Sequence, residues 1–108
     1  MTVADWIASR SPQVPEALRL RIMTALGDAS DDSQERTADA CFAAATRLLE
    51  GLLGERRFDR SGAIDLLTVD ALVTYACDHA SACRSASELA AFVRQGRGTI
   101  SHLATARV

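Results

Sequence analysis

Several features are missing from this sequence, and their absence bears on its fold and its origin. It contains no Lys and no Asn, and its twelve basic residues are all Arg. No segment alternates apolar and polar residues with the period of two that is typical of a half-buried strand, so no β-sheet is predicted. No internal repeat or low-complexity segment is present, which argues against repeat architectures. With Ala as the commonest residue, the Arg-only basic set leads to the hypothesis of a GC-rich bacterial genome.

Secretory and membrane-spanning segments are also missing. The first residues, MTVADWIASR, lack the basic region and the long apolar core of a signal peptide. The uncharged run from Ala71 to Cys77 is far too short to cross a bilayer. We therefore expect a cytoplasmic protein without membrane contact, in which the three Cys residues are reduced.

The composition is that of an ordinary folded domain. Hydrophobic residues make up 48% of the chain and charged residues 24%, which is close to globular usage and far from the signature of disorder. A chain of 108 residues fits a single domain, predicted here over residues 1–108, and buries about two-thirds of its unfolded surface. The net charge of -2 gives no general attraction to nucleic acids or acidic membranes.

The stretch from residue 61 to residue 80 is the longest apolar segment, and we predict a central helix over about 62–80. At 100° per residue its apolar side chains fall on two arcs, separated by two narrow polar stripes. The arcs are Leu66, Val69, Val73, Ala76, Cys77 and Ala80, and Ile64, Leu67, Ala71 and Tyr75. The stripes are Asp70, Thr74 and Asp78, and Asp65, Thr68 and His79 around Leu72. Because a surface helix normally shows one apolar stripe, this helix is expected to lie between other helices.

Four further helices are predicted at about 3–9, 15–26, 33–53 and 86–105. Thr2 is a suitable N-cap for the first, and Pro15 with Gly27 bounds the second by the usual asymmetry of helix ends. The third helix, which has the clearest amphipathic pattern, follows a variant capping box and stops at Gly54. A second capping box, formed by Ser85 and Glu88, opens the last helix. The predicted fold is an all-α bundle of four main helices with a short N-terminal one.

The last helix contains two Gly residues, which leave its continuity open. Leu89, Val93 and Ile100 keep one helical register straight through Gly96 and Gly98, and this favours one helix to about residue 105. Each Gly costs about 1 kcal/mol relative to Ala in a helix interior. A break at 96–98 is therefore the alternative.

The nearest approach to a metal site involves Cys and His residues near the end of the central helix. Cys77 and His79 point about 200° apart on a helix, so they do not face a common ion. His79 and Cys83 approach each other, at i and i+4, only if the helix continues. No CxxC pair or HExxH motif accompanies them. We interpret these residues as packed or solvated, with His79 and Cys83 as the remaining candidate ligands, and we expect no cofactor.

Motifs for catalysis are also missing. The sequence contains no GxSxG elbow, phosphate loop or dinucleotide fingerprint, so an enzyme is not favoured, although helical enzymes without short motifs exist. The stripe of Asp70, Thr74 and Asp78 is a possible functional site if burial perturbs its carboxylates. We favour the alternative in which the stripe lies at the surface or pairs with Arg from a neighbouring helix.

Arginines are concentrated where the third and fourth helices are connected. Arg56, Arg57 and Arg60 lie there, but Glu55 and Asp59 interrupt the cluster. Neither an aromatic platform nor a helix-turn-helix spacing accompanies it. Contact with nucleic acid or the transcription apparatus is therefore the second hypothesis for function, and Arg at a protein interface is the first.

Our preferred hypothesis is a non-enzymatic module that acts by protein association, as a homodimer. It depends on apolar residues that the main helix faces do not accommodate: Trp6, Leu20, Met23 and Phe58. Contiguous exposed apolar surface commonly marks an interaction site, and Gly96 is suited to close helix approach. Alternatively the short N-terminal helix covers these residues and leaves a monomer. A helical ligand-binding bundle or enzyme is a third hypothesis, and the sequence identifies no ligand or pathway.

Overall fold

The structure, a computed structural model, describes residues 1–10 and 13–106. Every regular element in that part of the chain is a helix. In chain order they are α1 (Val3–Ala8), α2 (Glu16–Leu26), α3 (Thr37–Glu55), α4 (Arg60–Cys83) and α5 (Ala86–Ala106), with two 3-10 turns, Gly27–Asp31 and Gln34–Arg36, between α2 and α3. The predicted all-α bundle of four main helices and a short N-terminal one is confirmed.

The centre of the bundle is a hairpin made by α3 and α4, which pack against each other along their length. α2 packs on both of these helices, and α5 lies across both. α1 contacts α3 and also reaches α4, because the Trp6 ring packs edge-on against Tyr75. The segment predicted to be central therefore has neighbours on several sides and shares its central place with α3.

The face that α4 buries combines a predicted polar stripe with part of both predicted apolar arcs. Buried positions recur at spacings of three and four residues, as on one helix face, and they are Gly62, Asp65, Thr68, Val69, Leu72, Tyr75, Ala76, His79 and Ala80. The polar stripe around Leu72 is therefore part of the core. The outer edges of the two apolar arcs are exposed, with Leu66 55% exposed and Leu67 60% exposed. Cys77 is exposed as well.

These buried polar groups are tolerated because most have partners within the protein. The Thr68 hydroxyl donates to the Ile64 carbonyl at 3.0 Å, and the Asp65 carboxylate binds two Arg side chains. The most deeply buried thiol behaves as an apolar group, since burial raises the pKa of Cys41 to about 12 and keeps it protonated.

The short helix α1 begins with the predicted cap. The Thr2 hydroxyl accepts from the Asp5 amide and the Asp5 carboxylate accepts from the Thr2 amide, which completes a capping box. Val3, Trp6 and Ile7 of this helix are buried. α1 is thus part of the core in spite of its length.

Backbone pairing explains why α3 begins later than predicted. The Val3 amide donates to the Asp32 carbonyl at 2.9 Å, and the Gln34 amide donates to the Met1 carbonyl at 3.0 Å. This pairing keeps residues 32 and 33 extended. The α-helix therefore starts at Thr37 rather than at residue 33. No side chain caps this start, so the prediction that a variant capping box opens the helix is wrong.

The ends of the hairpin helices also differ from the predicted ones. Gly54 lies inside α3, and the chain turns at Arg56, whose φ of 53° and ψ of 44° place it in the left-handed region. α4 is capped by the Asp59 carboxylate, which accepts from the Gly62 amide at 2.9 Å. At its other end α4 continues to Cys83, three residues past the predicted stop.

The last helix is continuous, as its apolar register predicts. Ser85 and Glu88 form the predicted capping box, and α5 runs through both Gly96 and Gly98. Gly96 is buried against the Phe42 ring of α3, where an added Cβ would lie 3.1 Å from two ring carbons. Its small size is therefore used for packing within the chain.

No helix within residues 1–10 and 13–106 combines the length and the apolar character needed to cross a membrane.

Candidate functional site

An open apolar feature of the molecule is a groove where α3 and α4 are connected. Its volume is about 290 Å³. Its wall is almost entirely apolar, and the residues that line it are Leu49, Leu52, Leu53, Arg57, Phe58, Asp59, Gly62, Ala63 and Leu66. Phe58 is 84% exposed and stands at its edge. A large ring is thus presented to solvent beside an apolar depression, which we call the hairpin groove.

An ion-pair network anchors Arg57, one of the residues that line the hairpin groove. Asp65 of α4 accepts from Arg21 of α2 and from Arg57, each at 2.7 Å. The Asp65 carboxylate is also the main cause of the raised pKa of Arg57, although desolvation opposes it. The network ties α2, α4 and the connection together and holds the residue next to Phe58.

Close backbone packing adds to this anchoring. Gly62 is buried against the Arg57 carbonyl, and a Cβ at position 62 would clash with that oxygen. The Arg57 Nε atom lies 2.8 Å from a Glu55 carboxylate oxygen, but without the alignment of a hydrogen bond. The path of the chain on either side of Phe58 is therefore defined by Gly62 and Arg57.

The rim of the hairpin groove carries charges of both signs. Glu55 and Asp59 supply negative charge, and Arg56, Arg57 and Arg60 supply positive charge. All but Arg57 are exposed. The predicted Arg cluster is thus mixed in charge, and one of its members is already bound to Asp65.

The other predicted interaction residues lie elsewhere. Leu20 is 54% exposed and lines a separate depression between α2 and the hairpin. Met23 is half-buried and packs on the core. Trp6 is only 6% exposed, which corrects its expected availability, because α1 folds back and packs it on α4. Gly96 is covered by Phe42, so a direct contact of its Cα with a second chain would require that ring to move.

The candidate metal ligands come together because α4 continues past Ala80. The Cys83 Sγ atom is 3.7 Å from the His79 Nε2 atom, while Cys83 is exposed and His79 is 3% exposed. In the part of the chain that the structure describes, no three His, Cys, Asp or Glu side chains are grouped so that they would hold a metal ion. His79 and Cys83 are therefore a pair of side chains without a third ligand.

The stripe formed by Asp70, Thr74 and Asp78 is exposed at all three positions. The Thr74 hydroxyl donates to the Asp70 carbonyl at 2.8 Å, and Asp78 lies 3.6 Å from Arg10. The stripe therefore lies at the surface, as the favoured interpretation expects. The Arg that approaches it is Arg10, which follows α1.

Two parts of the site were not predicted. Leu66 and Leu67 were assigned to buried arcs but are exposed, and Asp65 was assigned to a polar stripe but holds the network under the hairpin groove. A signal for Asp65 exists in hindsight: it shares the i, i+3, i+7 spacing of Thr68 and Leu72, which marks one helix face. The exposed positions carry no such signal, because their exposure depends on which helices pack beside α4.

Comparisons with the models of known protein families, with curated proteins and with solved structures find no match to this chain.

Proposed function

We propose that this chain is a non-enzymatic helical module that acts by associating with a second copy of itself through the hairpin groove. The observation that carries the proposal is the 84% exposure of Phe58 beside an apolar groove of about 290 Å³. A large aromatic side chain gains much from burial and is enriched at protein interfaces. A bacterial, cytoplasmic setting belongs to the proposal on the compositional grounds given above.

The arrangement of Phe58 and the groove favours a second copy over an unrelated partner. In a two-fold dimer the same patch meets itself, so a projecting group and the depression that receives it must both lie on that patch. Phe58 is such a group, and the space lined by Leu49, Leu53 and Leu66 is such a depression. Each Phe58 would enter the groove of the opposite copy.

The charges of the rim support the same choice. Glu55 and Asp59 lie within the same short connection as Arg56 and Arg60. A patch that carries both signs is complementary to its own two-fold image, whereas a patch of one sign would repel it. The rim therefore favours self-association at low ionic strength and gives the contact a defined orientation.

The size of the required interface defines which further residues would take part. A specific interface takes about 800 Å² from each partner, and this is about one eighth of the 6699 Å² surface of the chain. The hairpin groove is smaller than that. The contact would extend along α4, where Leu66 and Leu67 are both more than half exposed.

The test is the molar mass of the full chain, measured by size-exclusion chromatography with light scattering over a range of protein concentrations. We expect a dimer that dissociates on dilution. Phe58→Ser should shift this equilibrium strongly to the monomer. Leu20→Ser is the matched control, because Leu20 is also a large apolar residue that is more than half exposed, but it lies outside the groove.

Three results would contradict the proposal. A monomer mass for the unsubstituted chain at every concentration would exclude self-association. A dimer that is unaffected by Phe58→Ser would exclude the hairpin groove as the interface. A dimer lost with Leu20→Ser but kept with Phe58→Ser would move the interface to α2.

A further inference from the structure

His79 is buried at the end of α4 that is opposite to the hairpin groove. Its ring is 3% exposed and packs edge-on against the Trp6 ring, with 5.0 Å between the ring centroids. Its Nε2 atom lies 3.7 Å from the Cys83 Sγ atom, and its Nδ1 atom makes no hydrogen bond with a described residue. The imidazole is therefore enclosed between α4 and α1, and the Gln34 backbone is near enough to act on its pKa.

The charged groups that face this ring make a second positive charge unfavourable. Arg84, which follows α4, and Arg10, which follows α1, both lie on this side of the molecule, and the Arg10 guanidinium stacks on Trp6 at 4.4 Å. Each has an acidic partner: Arg84 donates to Asp39 of α3 at 3.0 Å, and Arg10 lies 3.6 Å from Asp78 of α4. Both guanidinium groups are thus placed beside the ring by their own ion pairs.

Burial is the main cause that lowers the pKa of His79, and the charge of Arg84 adds to it. The backbone of Gln34 and the Asp39 carboxylate act in the opposite direction, and Arg10 is a smaller lowering influence. The ring is therefore neutral at neutral pH while α1 is docked. When α1 leaves, the ring meets water and its pKa returns towards the ordinary value of 6.5.

The segment that covers His79 has few other attachments. α1 has six residues, which is too short for a stable helix in isolation. It is held by the buried side chains of Val3, Trp6 and Ile7 and by the two backbone hydrogen bonds to residues 32 and 34. The ion pair of Arg10 with Asp78, just past its end, is a further contact. These are the contacts that must break for the segment to detach while the α3 and α4 hairpin stays folded.

We propose that His79 is a pH-sensitive latch, whose protonation releases residues 1–10 from the bundle. The undocked state takes up a proton at a higher pH than the docked state, so it gains population as the pH falls below about 6.5. Above that pH both states have a neutral ring, and the latch is closed.

The chain contains its own reporter of this event, because Trp6 is the only Trp and is in contact with His79. The experiment measures acrylamide quenching of Trp6 fluorescence in the full chain from about pH 8 to about pH 5. Circular dichroism is recorded on the same samples to follow total helix content. Collisional quenching reports access to the ring, so it separates release from a simple loss of emission next to a charged imidazole.

We expect the quenching constant to rise severalfold as the pH falls, while most of the helical signal is retained. His79→Gln keeps a polar side chain that does not titrate, so it should abolish the pH dependence. His102→Gln is the matched control, since His102 is the only other His and is exposed on α5, and it should leave the transition unchanged.

Hydrogen exchange in the unsubstituted chain provides a second measurement that does not depend on any variant folding. The Val3 amide donates to the Asp32 carbonyl, and the Gln34 amide donates to the Met1 carbonyl. Both amides should lose protection from exchange at low pH before the amides of α3 and α4. The proposal is overturned if Trp6 stays protected from the quencher at about pH 5 or if the transition survives in His79→Gln. It is also overturned if most of the helix content is lost at the same pH at which Trp6 becomes exposed.

Discussion

A large aromatic residue lies at each end of α4, and one is buried whereas the other is exposed. At its carboxyl end Trp6 is 6% exposed, packed on Tyr75 and His79. At its amino end Phe58 is 84% exposed beside the hairpin groove. The difference arises because the chain folds α1 over one end of α4 and has no corresponding segment over the other within the described residues.

This comparison shows what a short helix contributes to so small a bundle. α1 adds only six residues, yet it covers a buried polar ring and completes one end of the core. The uncovered end relies on the Asp65 network for order instead of on apolar cover. One end is therefore covered within the chain, and the other leaves apolar surface exposed.

The largest expected effect contrasts the two aromatic residues directly. Trp6→Ala should lower the free energy of unfolding by about 3–5 kcal/mol, because it removes a buried ring from the core. Phe58→Ala should change the free energy of unfolding by less than about 0.5 kcal/mol, because an exposed ring makes few contacts in the folded chain. Urea unfolding at low protein concentration measures both without a contribution from association. Equal losses from the two variants would contradict the comparison.

The next effect concerns the ion-pair network under the open end. Asp65→Asn should cost about 2–3 kcal/mol, since it removes a charge that binds two guanidinium groups. The value lies below that for a fully enclosed pair because both Arg side chains reach solvent. Asp70→Asn, on the exposed stripe of the same helix, is the control and should be within about 0.5 kcal/mol of the parent. A similar loss from both would show that the network does not hold this end.

A smaller and opposite effect is expected at the turn that leads to Phe58. Arg56 has a φ of 53°, in the left-handed region where side chains with a Cβ are strained. Arg56→Gly should therefore stabilise the chain by about 1 kcal/mol. Thermal unfolding would detect this as a rise of roughly 4–8 °C. Destabilisation would mean that the Arg56 side chain contributes a contact which outweighs the strain.

The smallest expected effect lies on α5, away from both ends of α4. Gly98 is exposed inside that helix, and a Cβ added there would meet no atom within 4 Å. Gly98→Ala should stabilise the chain by about 0.8–1.0 kcal/mol through helix propensity alone. It provides a baseline for changes that involve no tertiary contact. Little or no gain in a denaturant titration would indicate that α5 frays near this residue.

Local features of the fold were predictable because they depend on neighbouring residues. The capping boxes at Thr2 and at Ser85 require only a side chain and an amide three residues away. The continuity of α5 through Gly96 follows from the apolar register on either side of it. Phe58 was also identified from the sequence as a residue that the main helix faces do not accommodate, and it is exposed.

Features that depend on distant residues were not predictable in this way. The late start of α3 is set by residues that pair from the N-terminal segment. The burial of Asp65 depends on Arg21, which comes from another helix, and the burial of His79 depends on the return of α1. The hairpin groove likewise exists only once Leu53 and Leu66 face each other across two helices. Periodicity within one helix contains no information on such partners.

The docking of Trp6 on His79 also determines when α1 is able to pack during synthesis of the chain. The partners of Trp6 on α4 are synthesised about 70 residues after it. At the usual rates of translation this delay is roughly 4–15 s. During that interval Trp6 lacks its aromatic partners Tyr75 and His79. α1 is thus synthesised before the α4 residues that it packs against. Until α4 emerges, α1 is accessible to chaperones and proteases at the ribosome.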